Sequence, residues 1–297
     1  MTSTTRGHAL ITGADGQVGR ELQAGRPDSW TMVACGSREL DVTDGDQVRV
    51  VVERERPTVV IHAAAYTAVD AAESDVERAE AVNTRGTAQV AEAVERVGAR
   101  LVYVSTDFVF DGSGGAPYGT DAEPRPLGVY GRTKLAGERA ALRTLGERAL
   151  VVRTAWVYSR YGQNFVRTML GLMRERDEVC VVSDQIGTPT WGRPLANVLW
   201  AAAARPELHG ILHWTDAGVA SWYDFAVAIQ EEALALGLLE RAVPVRPVTS
   251  DEYHAVARRP AFSVLEKRAS WAMLGVPVLH WRESLRRMLR ELADSRA

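Results

Sequence analysis

Short apolar runs alternate with longer amphipathic stretches through the first half of the chain. His8 to Thr12, Thr31 to Cys35, Thr58 to His62, Leu101 to Ser105 and Leu150 to Arg153 are rich in Val, Ile, Leu and Ala. Such runs read as strands buried on both faces, the pattern expected of a parallel sheet. Between them, residues 17–25, 45–56, 73–97 and 130–146 carry helical spacing. Strand and helix in succession predict βα units, and right-handed crossovers would wind these into a doubly wound α/β sheet covered by helices.

After about Ala155 the rhythm loosens. The pattern predicts helices over 164–176, 194–204, 222–235 and 281–292, strands over 178–183 and 209–214, and an irregular "DQIGTPTWGRP". Prolines and tryptophans crowd this half, which reads as a smaller, less regular lobe over the carboxyl edge of the sheet, where open α/β folds bind ligands. The expected division is a dinucleotide-binding domain over 1–155 and a mainly substrate-binding lobe over 156–297. Residues of about 190–215 are expected to return to the first domain. The Gly/Ser/Pro-rich stretch Asp111 to Pro126 is long for a connection inside a βα unit, so it is a candidate active-site loop.

Of 297 residues, 46% are hydrophobic, enough for a large core with a smaller partner. The 35 basic and 38 acidic residues are mixed along the chain for a net charge of -3, which argues against a nucleic-acid groove. Cys35 and Cys180 sit in apolar runs without metal-ligand spacing and read as buried thiols of a reducing compartment. "HALITG" is too short and too soon broken by glycine for a signal peptide, and no run approaches the length of a membrane span. The expectation is a soluble, cytoplasmic protein without a membrane partner.

The first apolar run ends in "TGADGQVGR", which sets Gly13, Gly16 and Gly19 at the entrance of a helix that also carries Gln17 and Val18. Glycine there permits a tight turn, close approach of backbone to a pyrophosphate and close helix packing, while the helix amino end favours the anion. Position after a strand and before a helix makes this a dinucleotide site. The second run is followed by "CGSREL", with Ser37 and Arg38 where an NAD-binding chain would carry an acid. Arg38 could meet the 2′-phosphate of NADP or stand as a solvated arginine, so NADPH is preferred and NADH remains open. Asp41 and Val42 follow, flanking the adenine, with Asp41 equally suited to cap the helix near Gly45.

The third run opens into Ala63, Ala64 and Ala65, small enough for a flat cofactor to lie against the backbone, then into Val69 and Asp70, the latter equally a helix cap. The fourth delivers Ser105, Thr106 and Asp107 to a carboxyl strand end, where a hydroxyl can reach a substrate carbonyl. Tyr130 and Lys134 follow at positions i and i+4 of one helical face. Spacing alone leaves that pair either catalytic or an ordinary helix rim.

With these motifs in order, the chain resembles the dTDP-4-dehydrorhamnose reductase family of extended short-chain dehydrogenases/reductases. The resemblance rests on "GADGQVGR" 13–20, "AAAYTAVDAAE" 63–73, "VNTRGT" 82–87, "YVSTDFVFDG" 103–112, "VYGRTKLAGE" 129–138, "RTAWVY" 153–158, "NFVRTML" 164–170, "DQIGTPT" 184–190 and "RPAFSVLEK" 259–267. It implies a Rossmann fold with a substrate lobe, and catalytic roles for Thr106, Tyr130 and Lys134. It implies that Trp156, Val69 and Asp107 lie by the sugar and that Asn164 and Arg167 serve the nucleotide-sugar side. Departures are Ala71 where relatives often have lysine, Phe108 for a common tyrosine, and Gly128 where asparagine is frequent. They spare the proton donor and touch substrate fit.

The implied reaction is hydride transfer from NAD(P)H to the C4 ketone of a dTDP-linked 6-deoxyhexose, foremost dTDP-4-dehydro-β-L-rhamnose. Tyr130 would give the proton, Lys134 would lower its pKa and hold the nicotinamide ribose, and Thr106 would orient the carbonyl. Alternatives are the same chemistry on another sugar of streptose-like or antibiotic biosynthesis, an epimerase or dehydratase, and a non-catalytic NADP-binding regulatory subunit. No carboxylate cluster suggests the magnesium site of certain relatives, so no metal ligand is assigned. Oligomeric state is not written in these patterns, and a homodimer is an open alternative.

Overall fold

The structure, a computed structural model, describes residues 7–295. Strands β1 (Gly7–Thr12), β2 (Trp30–Cys35), β3 (Val59–His62), β4 (Arg100–Thr106), β5 (Ala149–Thr154) and β6 (Gly210–His213) form one sheet in the order β2-β1-β3-β4-β5-β6. Every neighbouring pair is parallel, with Thr12 opposite both Cys35 and His62, and Thr106 opposite Thr154. The chain winds outward from β1 to β2, then returns across β1 to lay down β3. That reversal opens a crevice at the carboxyl ends of β1 and β3.

Helices cover both faces because successive strand residues point to opposite sides. Ala9, Ile11, Val102, Leu150 and Val152 pack with Leu22 of α1 (Gln17–Ala24) and with Leu195, Leu199 and Trp200 of α6 (Gly192–Ala203). Leu10, Leu101, Tyr103 and Val151 face the other way. They meet Val48 and Val52 of α2 (Gly45–Glu55), Val90 and Val94 of α3 (Thr87–Arg96), and Ala141 and Leu145 of α4 (Val129–Leu145). With both faces covered, each strand is a near-continuous apolar run.

A separate core joins α5 (Phe165–Glu175), α7 (Trp222–Ala235) and α8 (Trp281–Asp294) through Val166, Met169, Met173, Phe225, Ile229, Leu285 and Leu289. Helix α7 starts at a capping box in which Ser221 and Asp224 satisfy each other's backbone amides. Around these helices lie short strand pairs, Val179–Val182 with Val245–Val248, Val157–Tyr158 with Thr190–Trp191, and Ile186–Gly187 with Ala220–Ser221. Among the described residues, no helix is long and apolar enough to cross a membrane.

Four expectations change. The helix expected over 73–97 is broken into Val69–Ala72, Val76–Glu80, a π-helical turn Ala81–Gly86, and α3. Asn83 in that turn accepts from Tyr66 N and donates to Tyr66 O and Thr133 Oγ1, so the distortion is occupied in pinning the loop after β3. Cys180 is exposed, because its short strand alternates buried and open positions, whereas Cys35 is buried. The stretch 111–126 does not line the cleft described below. It packs against the "RPAFSVLEK" segment, with Tyr118 N donating to Val264 O, Glu266 N donating to Tyr118 O, and the Tyr118 ring stacked 4.2 Å from Phe110. Finally, Asp41 takes the Thr43 amide and hydroxyl in a local turn, and Asp44 is the residue that caps α2.

Candidate active site

The glycine turn is sterically enforced. Gly13 has φ 71°, and a Cβ there would lie 2.6 Å from Ala64 N. A Cβ on Gly19 would lie 2.2 Å from Gly13 O, so no larger residue fits the seam between the turn and α1. Gly16 at the N-cap of α1 supplies no side-chain cap, which leaves first-turn amides free for an anion.

A cleft of about 570 Å³ runs from this turn across the carboxyl ends of β3, β4 and β5 to the lobe. Gly16, Gln17, Val18 and Gly19 form one end, and Ala63 and Ala65 the floor. Thr106, Asp107, Tyr130 and Lys134 form one wall, and Val69, Trp156 and Asn164 complete the far end. Of the other cofactor candidates, Gly13 and Ala64 stand behind the lining and shape the turn, while Val42 is buried against Gly86. Ser37, Arg38 and Asp41 lie beyond the cleft lining, with Ser37 and Arg38 exposed past β2. Among the described residues, no group of three or more His, Cys, Asp or Glu side chains is placed to hold a metal ion.

Helix α4 delivers Tyr130 and Lys134 to the same wall one turn apart, and it can approach because it carries glycine at its contacts. A Cβ on Gly131 would come 2.2 Å from Phe108 O, and one on Gly137 would come 2.3 Å from Asn83 O. With no side-chain cap from Gly128, the amide of Val129 is taken by Glu73 Oε1 at 2.7 Å, which ties the segment after β3 to the start of α4.

Burial raises the Tyr130 phenol to about 12, against the Thr106 hydroxyl, which lowers it, while the Asp107 charge adds to the rise. Lys134, 2% exposed, donates to Val104 O at 2.8 Å and lies 4.1 Å from the centre of the Tyr103 ring. Burial lowers its ammonium to about 7, opposed by Glu138 one turn further on. The expected depression of the tyrosine by the lysine is therefore not what this geometry displays: the phenol is raised, by burial first. Thr106 donates to Asp107 Oδ1 at 3.1 Å and accepts from Phe108 N. Asp107 is 1% exposed, its Oδ2 has no protein partner, and burial raises it to about 6, while the nearby Ser263 and Thr106 hydroxyls act to lower it.

Behind this wall is a polar layer that sequence reading missed. Glu138 pairs with Arg153 at 2.7 Å, both fully buried, and accepts from Ser105 Oγ. Nothing in a single sequence separates Glu138 from a surface glutamate; only its helical register with Tyr130 and Lys134 points inward.

Trp156 adopts φ 48°, a region that costs a non-glycine residue strain. Its indole stacks on Trp222 at 3.5 Å between centroids, and Gly187 makes room for it, since a Cβ there would come within 2.5 Å. Asn164 lines the cleft, but its amide caps α5 through Arg167 N and donates to Ser159 O and Gln17 Oε1. Arg167 is exposed, donates to Arg160 O at 2.9 Å and lies outside the cleft lining. The cleft instead has Trp222 and Arg259 in its wall, neither of which was given a role from sequence.

The family model described as RmlD substrate binding domain matches residues 7–294. A dTDP-4-dehydrorhamnose reductase of Streptomyces griseus is 44% identical over 96% of this chain and 94% of its own length. One from Aggregatibacter actinomycetemcomitans is 41% identical over 93% and 96%. The crystal structure of a dTDP-4-dehydrorhamnose reductase from Bacillus anthracis in complex with NADP superposes with a TM-score of 0.90 at 37% identity, covering 96% of this chain and 99% of that one. Likeness at this level over both the sheet and the lobe places the chain in the dTDP-4-dehydrorhamnose reductase family of the extended short-chain dehydrogenases/reductases.

Proposed function

We propose that the protein reduces the C4 ketone of a dTDP-linked 6-deoxyhexose, foremost dTDP-4-dehydro-β-L-rhamnose, to the alcohol. The observation that carries this reading is the convergence of Thr106, Tyr130 and Lys134 on one wall of the cleft that begins at the glycine turn. The turn fits a dinucleotide: Gly13 and Gly19 leave no room for side chains, the amino end of α1 carries no side-chain cap and can receive an anion, and Ala63 and Ala65 leave a flat floor. Reduced nicotinamide, when bound there, supplies the hydride.

The chain's own residues manage the proton and the geometry. With its pKa raised to about 12, Tyr130 is a full phenol at neutral pH and enters the reduction as an acid. Its O–H is positioned to donate to the oxygen of the ketone as negative charge develops there. The Thr106 hydroxyl beside it is a second donor to that oxygen. Lys134, on the same helical face, becomes the cation beside the phenolate left after transfer, and its remaining donors serve the ribose of the cofactor. Trp156 and Val69 border the sugar. The test is to mix the purified protein with NADPH or NADH and a panel of dTDP-4-keto-6-deoxy sugars, follow loss of reduced nicotinamide and identify the sugar. Absence of oxidation across the panel would refute the reading.

Lys134 gives this site a pH signature. Protonated below about 7, it favours the anionic cofactor; above, it is neutral and the attraction is lost. Titration of NADPH from acid to alkaline pH is expected to show affinity falling through that range, with Lys134→Met weakening binding at the acid end and flattening the profile. A slope that survives in the variant would assign it to another group.

Preference for NADPH is attributed to Arg38. Its side chain is exposed, and the nearby Glu39 carboxylate accepts from Gly36 N at 2.9 Å, so the local field is mixed. An exposed arginine–phosphate contact contributes about 1 kcal/mol, so Arg38→Ala is expected to weaken NADPH roughly fivefold. NADH affinity should not move. Equal losses for the two cofactors would remove Arg38 from the 2′-phosphate.

A further inference from the structure

His62 ends β3 immediately before the alanine floor of the cleft, is fully buried and stands outside the cleft lining. Its ring is held at both nitrogens: Nδ1 lies 2.6 Å from Thr12 Oγ1, and Nε2 lies 3.1 Å from Thr87 Oγ1. Tyr103 stacks on the ring at 5.3 Å between centres. Burial, and after it the charge of Lys134, hold the imidazole down at about 3, so the ring is neutral at physiological pH. A neutral imidazole has one donor and one acceptor, and its neighbours decide which is which. Thr87 has a single hydroxyl proton and gives it to Asn83 O at 2.8 Å, so its oxygen can only accept from the ring. Nε2 therefore carries the hydrogen, and the bare Nδ1 accepts from the Thr12 hydroxyl.

Both arms lead to the working parts of the cleft. Thr12 Oγ1 also accepts from Ala64 N at 3.4 Å, and Ala64 is the residue against which Gly13 closes the glycine turn. On the other side, the side-chain amide of Asn83 donates to Thr133 Oγ1 at 3.1 Å, and that hydroxyl donates to Tyr130 O at 3.0 Å. With Asn83 as the joint, the bonds run from the glycine turn through the ring to the first turn of α4. Hydride transfer needs the nicotinamide, seated by the turn, and the phenol, carried by α4, at one mutual setting; a misplacement of about 1 Å costs on the order of 10²-fold in rate. An apolar ring could fill the space that His62 fills, but it could not hold Thr12 and Thr87 at a fixed separation.

We infer that His62 is a positioning residue for the reduction: its donor arm, through Thr87, Asn83 and Thr133, sets the Tyr130 phenol, and its acceptor arm, through Thr12, sets the cofactor turn. This rests on the reductase reading above and adds to it a residue outside the cleft. The two arms then act on different quantities, the donor arm on the rate of the chemical step and the acceptor arm on cofactor affinity. A histidine that only fills the core would move both quantities together with stability.

The arms can be cut separately, because an asparagine amide takes the place of Nδ1 and a glutamine amide that of Nε2. His62→Asn keeps an acceptor for Thr12 and loses the bond to Thr87, whereas His62→Gln keeps a donor to Thr87 and loses the bond from Thr12. The full-length variants are titrated calorimetrically with NADPH, then assayed for single-turnover oxidation of saturating NADPH with the dTDP-4-keto-6-deoxy sugar that wild type reduces. His62→Asn should bind NADPH within about twofold of wild type and oxidise it about 10- to 100-fold more slowly. His62→Gln should weaken NADPH about fivefold, the effect of one net hydrogen bond, and stay within about threefold of the wild-type rate. Parallel losses in the two variants, the reverse split, or no change in either would overturn the inference. If either variant fails to fold, Thr133→Val cuts the donor arm at its far end and should slow oxidation about 10-fold with NADPH binding intact, while Thr133→Ser recovers the rate. A wild-type rate in Thr133→Val, or no recovery in Thr133→Ser, would overturn the inference as well. The NADPH titrations need no turnover: if wild type oxidises NADPH with no dTDP sugar, the reductase reading falls, and the split in affinity between the His62 variants stands or fails by itself.

Discussion

Tyr130→Phe is expected to bind NADPH as wild type does and to lose about 10²- to 10⁴-fold in kcat, the contribution of a positioned general acid. Removing only the hydroxyl preserves the ring, which meets Phe108 edge to face at 5.5 Å and packs beside Val129. The helix and the floor of the cofactor site therefore stay in place, and the loss should fall on the chemical step. Thr106 keeps its hydroxyl, so one donor to the carbonyl remains and residual turnover above the uncatalysed rate is expected. Single-turnover oxidation of bound NADPH separates this from slow product release. A variant with near-wild-type single-turnover rates would show that another group gives the proton, and Asp107, raised to about 6 with one oxygen unpartnered, would be the next to substitute.

The parts of this molecule that were readable from sequence are those where local chemistry has one cause. Strands β1 to β5 were legible because strands covered on both faces have to be apolar throughout. The glycine turn was legible because Gly13 and Gly19 have no sterically permitted substitute. The break of the expected 73–97 helix was not, since its cause is tertiary: Asn83 reaches Tyr66 and Thr133, which are distant in sequence. The strand Val245–Val248 was hidden by Arg246 and Pro247, tolerated because they are exposed on a two-stranded ribbon. In the cleft, strand ends and helical register brought Thr106, Tyr130 and Lys134 forward as candidates, and the family resemblance gave them their roles. Asn164 and Arg167 carry polar groups that suit a sugar nucleotide, yet the fold uses those groups to cap α5 and to hold Arg160 O. Arg259 comes to the cleft from a segment 129 residues after Tyr130 (259 - 130), and no periodicity reports such a meeting.

The layer behind the catalytic wall yields the largest expected change in stability. Glu138 and Arg153 are paired at 2.7 Å with side-chain exposures of 1% and 2%, and the guanidinium lies 5.2 Å from the Phe110 ring centre. Glu138→Gln keeps the shape and removes the charge, leaving Arg153 buried without its counter-ion at an expected cost of about 3–5 kcal/mol. The same substitution acts on Lys134. Glu138 is what opposes the effect of burial there, so without it the ammonium should titrate below its present value of about 7. The acid-favoured phase of NADPH binding should then shift to lower pH. Urea unfolding measures the first effect and NADPH titration across pH the second. Replacing both partners with apolar residues, Glu138→Leu with Arg153→Met, separates them: a well-packed apolar pair can match a buried ion pair in stability. The double variant should regain much of the urea midpoint and still show the displaced pH profile. Recovery of both together would mean that the ion pair acts on Lys134 only by holding α4 in position.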